Sequence, residues 1–219
     1  MAILPTGSHR EACPQRRRQI QTTVQNPWYR VRRSYGDAVS REDQRRWDER
    51  YAARGPASRG TVGPPSVFAA HVDVFPTVGR ALDIACGQGV TSVWMARRGL
   101  QVAGFDISAV AIGQARDLAR ASGVEDRCRF DVVDLDSGLP DGPVVDVIVC
   151  HRFRDRRLDS VIIDRLAPGG LLAIATLSAV NAAPGPFRAA AGELAEAFAT
   201  LTVIAAGEGD GQAWLLGRA

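Results

Sequence analysis

The chain has 219 residues, of which 46% are hydrophobic and 23% are charged, and its formal net charge is +3. This length is typical of one α/β domain with additional segments, and it is sufficient to bury a hydrophobic core. The sequence contains no apolar run of about 18 residues, which argues against a membrane span, and its start lacks the apolar segment of a secretory signal.

The basic residues are unevenly distributed, and all 27 of them are arginine. Residues 1–40 contain seven arginines but only two acids, Glu11 and Asp37. This composition resembles that of a transit peptide or of a segment that binds nucleic acid, but three prolines interrupt any long helix and no aromatic residues lie within the arginine cluster. We therefore predict a basic, disordered leader over residues 1–40, followed by a single domain over residues 41–219.

The first predicted helix covers residues 41–54. Trp47 and Tyr51 lie one helical turn apart on the same face of this helix. These two aromatic side chains either seal the helix against the domain or take part in a binding site. A loop rich in Gly and Pro follows over residues 55–65, and a second helix is predicted over residues 65–74.

The rest of the chain is organised around residues 80–89, which read R-A-L-D-I-A-C-G-Q-G. A short apolar run containing one acid, Asp83, leads into Gly87 and Gly89, and a helical segment follows. Glycine lacks the Cβ atom that would keep a backbone away from a nucleotide cofactor. A second apolar run ends at Asp106, where Rossmann-type sites bind ribose hydroxyls. This pattern predicts a nucleotide-cofactor site.

Apolar runs and helical segments alternate from residue 80 onward, which indicates a parallel sheet with helices on both faces. The predicted strands cover residues 81–85, 101–106, 128–133, 145–150, 171–177, 201–205 and 213–217. The predicted helices cover residues 90–98, 108–122, 155–166 and 190–199. We predict a doubly wound, mostly parallel seven-stranded sheet with an antiparallel C-terminal hairpin, in which N-terminal helices (41–78) precede a Rossmann-like cofactor-binding core (79–219).

The glycine stretch resembles motif I of the class I S-adenosylmethionine-dependent methyltransferases. Three later segments resemble that family in the same order: residues 105–108 the ribose-binding end of strand two, residues 131–135 the adenine-binding end of strand three, and residues 166–170 the turn into strand five. The resemblance is closest to the small tellurite-resistance and thiopurine-type methyltransferases. It implies S-adenosylmethionine as the cofactor and S-adenosylhomocysteine as the product.

Two alternatives to a methyltransferase stay open at this point. A nicotinamide-dependent oxidoreductase has the same layout, but its G-x-G-x-x-G fingerprint requires glycine where Ser92 stands, and such enzymes usually lack an acid at the position of Asp83. A protein that binds S-adenosylmethionine without catalysis is the second alternative, because binding and catalysis share most of their residues.

The resemblance also implies which residues contact the cofactor. Asp83 and the glycine turn would hold the methionine end, Asp106 the ribose, and Asp134 with the Leu135 backbone the adenine. The W-D-x-x-Y pattern that contains Trp47 opens many small methyltransferases, whose first helix covers the methionine end. The full predicted set is Trp47, Tyr51, Asp83, Ala85, Gly87, Gly89, Asp106, Ile107, Asp134, Leu135 and Cys150. For Asp134 a purely structural role in a turn is the alternative.

His151 follows the fourth predicted strand, where the acceptor meets the methyl group in the resembled family. Its ordinary pKa suits a general base for a hydroxyl, thiol or amine, which makes it the candidate catalytic residue. The alternative is that His151 only orders its loop. Arg152, Arg154, Arg156 and Arg157 stand in the same loop, and they either attract an anionic substrate or form a solvated start of a helix.

The predicted partner is a small-molecule methyl acceptor, and binding to nucleic acid or membranes is disfavoured. The acceptor atom and the oligomeric state are left unassigned. The four cysteines (Cys13, Cys86, Cys128 and Cys150) show neither C-x-x-C spacing nor a nearby histidine pattern. We therefore predict no metal site, and we expect reduced thiols in a cytoplasmic protein.

Overall fold

The computed structural model describes residues 38–182 and 188–219, together with residues 25–26 and 29–30. The two short segments, β1 (Gln25–Asn26) and β2 (Tyr29–Arg30), pair antiparallel with each other. The first helix is α1 (Ala38–Arg54), which confirms the helix predicted over residues 41–54. Apart from β1, β2 and the start of α1, the predicted leader lies outside the described residues. Within the described residues, no helix is both long and apolar enough to cross a membrane.

A sheet of eight strands forms the core of the described chain. The strands are β3 (Arg80–Ile84), β4 (Gln101–Asp106), β5 (Cys128–Val132), β6 (Val145–His151), β7 (Leu166–Ser178), β8 (Arg188–Ala189), β9 (Thr202–Gly209) and β10 (Gln212–Arg218). Their order is β5-β4-β3-β6-β7-β10-β9, and the two-residue β8 pairs with the end of β7. All neighbours from β5 to β7 are parallel, whereas β10 is antiparallel to β7 and β9. The Rossmann-like fold is confirmed, and β8 is the addition to the predicted seven strands.

Helices cover both faces of the sheet. On one face pack α2 (Val90–Arg97) and α3 (Ala109–Ala121), and on the other pack α4 (Asp159–Asp164) and α5 (Glu193–Ala197). Alternate residues of a strand point to opposite faces, so in β3 Leu82 and Ile84 enter one hydrophobic cluster and Ala81 enters the other. Both faces of the central strands are therefore buried.

Two predicted helices are tighter or shorter than expected. The segment predicted as a helix over residues 65–74 is a 3-10 helix, Ser66–Val74, with a non-helical break at His71 (φ −120°, ψ 18°). Its β-branched valines are unfavourable for a regular α-helix. The helix predicted over residues 190–199 is reduced to α5, because Gly192 before it has a left-handed backbone (φ 72°).

The helix predicted over residues 155–166 is divided between a 3-10 turn, Arg156–Leu158, and the short α4. It ends early because β7 begins five residues before the predicted strand. The end of the chain explains this difference: the Ala219 carbonyl accepts a hydrogen bond from the Gly169 amide (2.9 Å), and the Ala219 amide donates to the Gly170 carbonyl (3.0 Å). This pairing ties Gly169 and Gly170, near the start of β7, to the residue that follows β10.

Candidate functional site

The candidate site lies where the direction of strand order reverses. From β3 the sheet continues through β4 and β5 on one side and through β6 and β7 on the other. In open α/β sheets, ligands bind in the crevice at the carboxyl ends of the strands at this point. The turn after β3 and the ends of β4, β5 and β6 therefore surround the site.

The turn after β3 has an unusual backbone. Ala85 (φ 55°), Gly87 (φ 53°) and Gly89 (φ 73°) all adopt left-handed conformations, which glycine tolerates far better than other residues. A Cβ atom at position 89 would lie 2.8 Å from the Ala115 Cβ and 3.0 Å from the Phe130 Cζ. The absence of a side chain on Gly89 thus lets the turn and α2 pack closely against α3 and β5.

Asp83 is 2% exposed in the middle of β3. Its Oδ2 atom accepts a hydrogen bond from the hydroxyl of Ser92, on α2, at 2.5 Å. Burial raises the pKa of Asp83 to about 7, and the hydrogen bond from Ser92 opposes this effect. Asp83 and Ser92 are the two residues that separate this sequence from the dinucleotide fingerprint, and the structure joins them in one contact.

Asp106, the last residue of β4, connects the glycine turn to the start of α3. Its Oδ2 accepts a hydrogen bond from the Gly87 amide (2.8 Å), and its Oδ1 accepts one from the Ser108 amide (2.9 Å). Burial raises the pKa of Asp106, while these two hydrogen bonds act in the opposite direction. A carboxylate has about four lone-pair sites, and the Ile107 backbone also hydrogen-bonds to Asp106, so about one site stays available for a hydroxyl group of a ligand.

Helix α1 lies over the glycine turn. A Cβ atom on Gly87 would lie 2.7 Å from the Tyr51 hydroxyl, so the Tyr51 ring covers this glycine. The next residue, Gln88, connects the turn to the loop after α1. Its side-chain Nε2 donates to the Gly55 carbonyl (2.6 Å) and to Gln114 Oε1 (2.8 Å). The structure therefore brings α1 to the predicted site.

The two predicted aromatic residues of α1 occupy different positions. Tyr51 lies on the glycine turn, and burial raises its pKa, so that its hydroxyl stays protonated. Trp47 packs on Tyr51, with 6.0 Å between ring centroids. A cation lies over each ring: the Arg50 guanidinium is 5.1 Å from the Trp47 centroid, and the Arg54 guanidinium is 5.6 Å from that of Tyr51.

The residues predicted to bind adenine follow β5. The Val133 amide donates to the Asp106 carbonyl (2.9 Å), which places the end of β5 beside the end of β4. The Asp134 carboxylate accepts a hydrogen bond from the Asp136 amide (3.0 Å), so Asp134 caps the short turn that follows it. Leu135 is buried, and Ile107 lies half-buried beside Asp106. Contacts of these residues with adenine or ribose stay a prediction.

Comparison with known sequences places this geometry in a family. Residues 81–170 match a family described as "Methyltransferase domain". This range begins in β3, contains the glycine turn and Asp106, and ends in β7. Residues 81–170 therefore form a methyltransferase domain.

Similar proteins share the methyltransferase domain but differ in length. Ribosomal RNA small subunit methyltransferase C of Alcanivorax borkumensis is 36% identical over 104 residues, which are 43% of this chain and 31% of that protein. The ubiquinone biosynthesis O-methyltransferase of Psychrobacter cryohalolentis is 30% identical over 105 residues, 45% of this chain and 41% of that protein. The chain thus spans less than half the length of these relatives. The crystal structure of TehB from Haemophilus influenzae has the same fold (TM-score 0.59, 20% identity, covering 80% of this chain and 66% of TehB).

In the methyltransferase domain, β6 ends at His151. Burial and, to a smaller extent, the neighbouring Arg152 lower the pKa of His151 to about 4, so the imidazole is neutral at pH 7. Arg152 has a left-handed backbone (φ 61°), and its amide donates to the Ala175 carbonyl (2.7 Å). The Cys150 side chain is 2% exposed and belongs to the hydrophobic core, which leaves its backbone as the part that can meet a cofactor.

The arginines of the loop after β6 are mostly neutralised within the protein. Arg154 is buried and pairs with Asp159 (2.5 Å) and Glu193 (2.7 Å). Arg156 pairs with the same Glu193 (2.5 Å), and Arg157 pairs with Asp136 and Asp155 (2.6 and 2.7 Å). These ion pairs favour a structural role for the three arginines, and attraction of an anionic substrate by the cluster stays a prediction.

Several residues at the site were not identified from the sequence, namely Asp48, Gln88, Ser92 and Gln114. Asp48 stands within the W-D-x-x-Y pattern, and Ser92 is the residue that breaks the glycine fingerprint. Both residues could therefore have been recognised from the sequence. Among the described residues, no three His, Cys, Asp or Glu side chains are grouped so that they could hold a metal ion. Cys86, Cys128 and Cys150 are free thiols.

Proposed function

We propose that this chain transfers the methyl group of S-adenosylmethionine to a small-molecule acceptor. One observation carries the proposal: inside a methyltransferase domain, the Asp106 carboxylate at the end of β4 is hydrogen-bonded to the Gly87 amide of the turn after β3 (2.8 Å). This contact joins the predicted ribose-binding acid to the predicted methionine-binding turn. The relatives are longer proteins, so the activity of the whole chain is our inference.

The residues present fit this cofactor. Gly87 and Gly89 form a turn that admits no side chain, because a Cβ atom at either position would collide with a neighbour. The Asp106 carboxylate at the end of β4 suits a ribose hydroxyl, and Asp134 with the Leu135 backbone suits the adenine. When bound, S-adenosylmethionine supplies a methyl group on a positively charged sulfur, which is already an activated leaving group.

The protein residues would then align the acceptor and exclude water. Tyr51 and Trp47 on α1 would cover the methionine end of the cofactor. His151 at the end of β6 would accept a proton from an acceptor hydroxyl, thiol or amine. Because the pKa of His151 is lowered to about 4, it is a weak base at neutral pH, which favours acceptors whose proton is comparatively acidic.

Charge supports a small molecule over RNA as the acceptor. Arg154, Arg156 and Arg157 near the acceptor side are each paired with protein carboxylates, so they have little charge to offer to RNA phosphates. One relative is named for ribosomal RNA and another for ubiquinone biosynthesis, so the names of the relatives do not favour one kind of acceptor. RNA is therefore the alternative that an experiment has to include.

The test begins with calorimetric titration of the protein with S-adenosylmethionine, S-adenosylhomocysteine, NAD and NADP. We expect the first two to bind and the nicotinamide cofactors to give no heat of binding. Labelled S-adenosylmethionine is then incubated with phenols, thiols, amines and ribosomal RNA. Binding of NAD or NADP but not S-adenosylmethionine would refute the proposal. Transfer of the methyl group to RNA alone would refute a small-molecule acceptor. Binding of S-adenosylmethionine without transfer to any acceptor would support a non-catalytic role.

A further inference from the structure

Helix α1 is attached to the domain through an acid that the proposed mechanism does not use. Asp48, half-buried on α1, accepts two hydrogen bonds with one oxygen, Oδ1. The donors are the Ser108 hydroxyl (2.6 Å) and the Val110 amide (3.1 Å), both at the start of α3. A contact between residues this far apart in sequence fixes the position of α1 over the site.

Ser108 continues this connection to Asp106. Its amide donates to Asp106 Oδ1 (2.9 Å), and its hydroxyl accepts a hydrogen bond from the Ala111 amide (3.0 Å) while donating to Asp48. Ser108 is fully buried, so its hydroxyl has no access to water that could replace these partners. The other oxygen of Asp106 holds the Gly87 amide. A continuous hydrogen-bonded chain therefore runs from Asp48 through Ser108 and Asp106 to Gly87.

Capping of α3 alone does not account for Asp48. Ser108 already caps this helix by accepting from the Ala111 amide, and a neutral side chain could accept from Val110 equally well. The negative charge of Asp48 is unfavourable beside a second carboxylate, since it adds to the burial that raises the pKa of Asp106. What Asp48 supplies is an oxygen that orients the Ser108 hydroxyl and ties α1 to the Asp106 turn.

We infer that Asp48 is a positioning residue of the cofactor site, which holds α1 over the glycine turn and holds Asp106 in the orientation that binds ribose. This inference rests on the proposed function, because it assigns the cofactor site to S-adenosylmethionine. Asp48 acts through Ser108 and Asp106 and does not itself touch the cofactor. Asp48 thereby adds to the Gln88 contact with Gly55 in holding Tyr51 and Trp47 over the site.

The test compares Asp48→Ala, Asp48→Asn and Ser108→Ala in the full chain by calorimetry with S-adenosylmethionine. We expect Asp48→Ala and Ser108→Ala to weaken binding about tenfold, because each breaks a hydrogen bond to a charged group. Asp48→Asn keeps the accepting oxygen, so it should recover most of the affinity. The matched control is Asp43→Asn, which removes the same charge from the same helix. In the described contacts Asp43 pairs only with Arg46 (2.8 Å). The Asp43→Asn variant should bind S-adenosylmethionine with the affinity of the unmodified chain.

A double-variant comparison separates positioning from general stabilisation. In an Asp106→Asn background, Asp48→Ala should change the affinity by less than about twofold, because the residue through which it acts is already altered. Full additivity of the two effects would overturn the inference. Unchanged affinity in all three single variants would overturn it as well.

A measurement without cofactor keeps this test distinct from that of the proposed function. Hydrogen exchange of the Gly87 and Ser108 amides, followed by NMR, should accelerate in Asp48→Ala and Ser108→Ala and stay unchanged in Asp43→Asn. Unchanged exchange in Asp48→Ala and Ser108→Ala contradicts the positioning role even if the chain binds S-adenosylmethionine. Accelerated exchange in a chain that binds no S-adenosylmethionine would instead refute the proposed function and with it the assignment of Asp48 to that cofactor.

Discussion

Replacing Asp83 by asparagine should stabilise the folded protein at neutral pH. Asp83 is 2% exposed, and burial raises its pKa from an ordinary value of 3.8 to about 7. The folded state therefore retains the carboxyl proton to a higher pH than the unfolded state does. Asparagine has the same shape, keeps an oxygen that can accept from the Ser92 hydroxyl, and does not ionise.

The sign and the size of the effect follow from this difference in pKa. Below about pH 4 both states are protonated and the acid carries no penalty. As the pH rises from about 4 to about 7, the unfolded state loses its proton first, so the free energy of unfolding declines by on the order of 4 kcal/mol. The asparagine variant lacks this decline. Its advantage should grow from less than about 1 kcal/mol at pH 4 to roughly 4 kcal/mol at pH 8.

Urea unfolding of both proteins at pH 4, 6 and 8, without cofactor, measures this advantage. Asp73→Asn is the control, because Asp73 is exposed and its substitution should give the same small effect at every pH. An advantage of Asp83→Asn that does not change with pH would refute the reasoning, and so would a loss of stability at pH 8. The same variant should bind S-adenosylmethionine more weakly, because a negative charge near a cationic ligand is removed.

Four further substitutions test individual parts of the site. Asp106→Asn should raise the dissociation constant of S-adenosylmethionine about tenfold in calorimetry, and an unchanged value would remove Asp106 from the site. Trp47→Ala should weaken binding of S-adenosylmethionine by about 0.5–2 kcal/mol and that of S-adenosylhomocysteine by less, whereas equal losses would leave packing on Tyr51 as its role. His151→Ala should preserve the affinity for S-adenosylmethionine and lower kcat on an identified acceptor; full turnover would exclude a general base at this position. Gly89→Ala should lower the free energy of unfolding by about 1–3 kcal/mol, because its Cβ would lie 2.8 Å from that of Ala115. The control is Gly113→Ala, which has no atom within 4 Å of its Cβ and should be neutral or stabilising.

The sequence was most informative where structure depends on local pattern. Strands β3 to β6 begin and end within one residue of the predicted strands. For β3, β4 and β6, which lie inside the sheet, the reason is that burial on both faces gives nearly continuous apolar runs. The turn after β3 was predictable because Gly87 and Gly89 have no side chain and directly follow an apolar strand. Helix α1 was predictable from the spacing of Trp47 and Tyr51.

Contacts between distant segments were not predictable from the same pattern. The early start of β7 depends on pairing with Ala219, far along the chain from Gly169 and Gly170. The partner of Asp48 is Ser108, and nothing in the sequence near either residue indicates the other. Ser92 was recognised only as a departure from the dinucleotide fingerprint, although a buried acid such as Asp83 requires a partner of this kind.

Three carboxylates lie close together around the glycine turn: those of Asp48, Asp83 and Asp106. Asp106 contributes to the raised pKa of Asp83, and Asp48 contributes to that of Asp106, so each acid makes the next less favourable when no cation is bound. A fold selected only for stability would place neutral side chains here. In the proposed function the ligand carries an ammonium group and a sulfonium group, and the negative charge of Asp83, which weakens the empty protein, would strengthen the complex. The gain in stability and the loss of affinity expected for Asp83→Asn are therefore two results of one charge, and observing either result without the other would contradict this explanation.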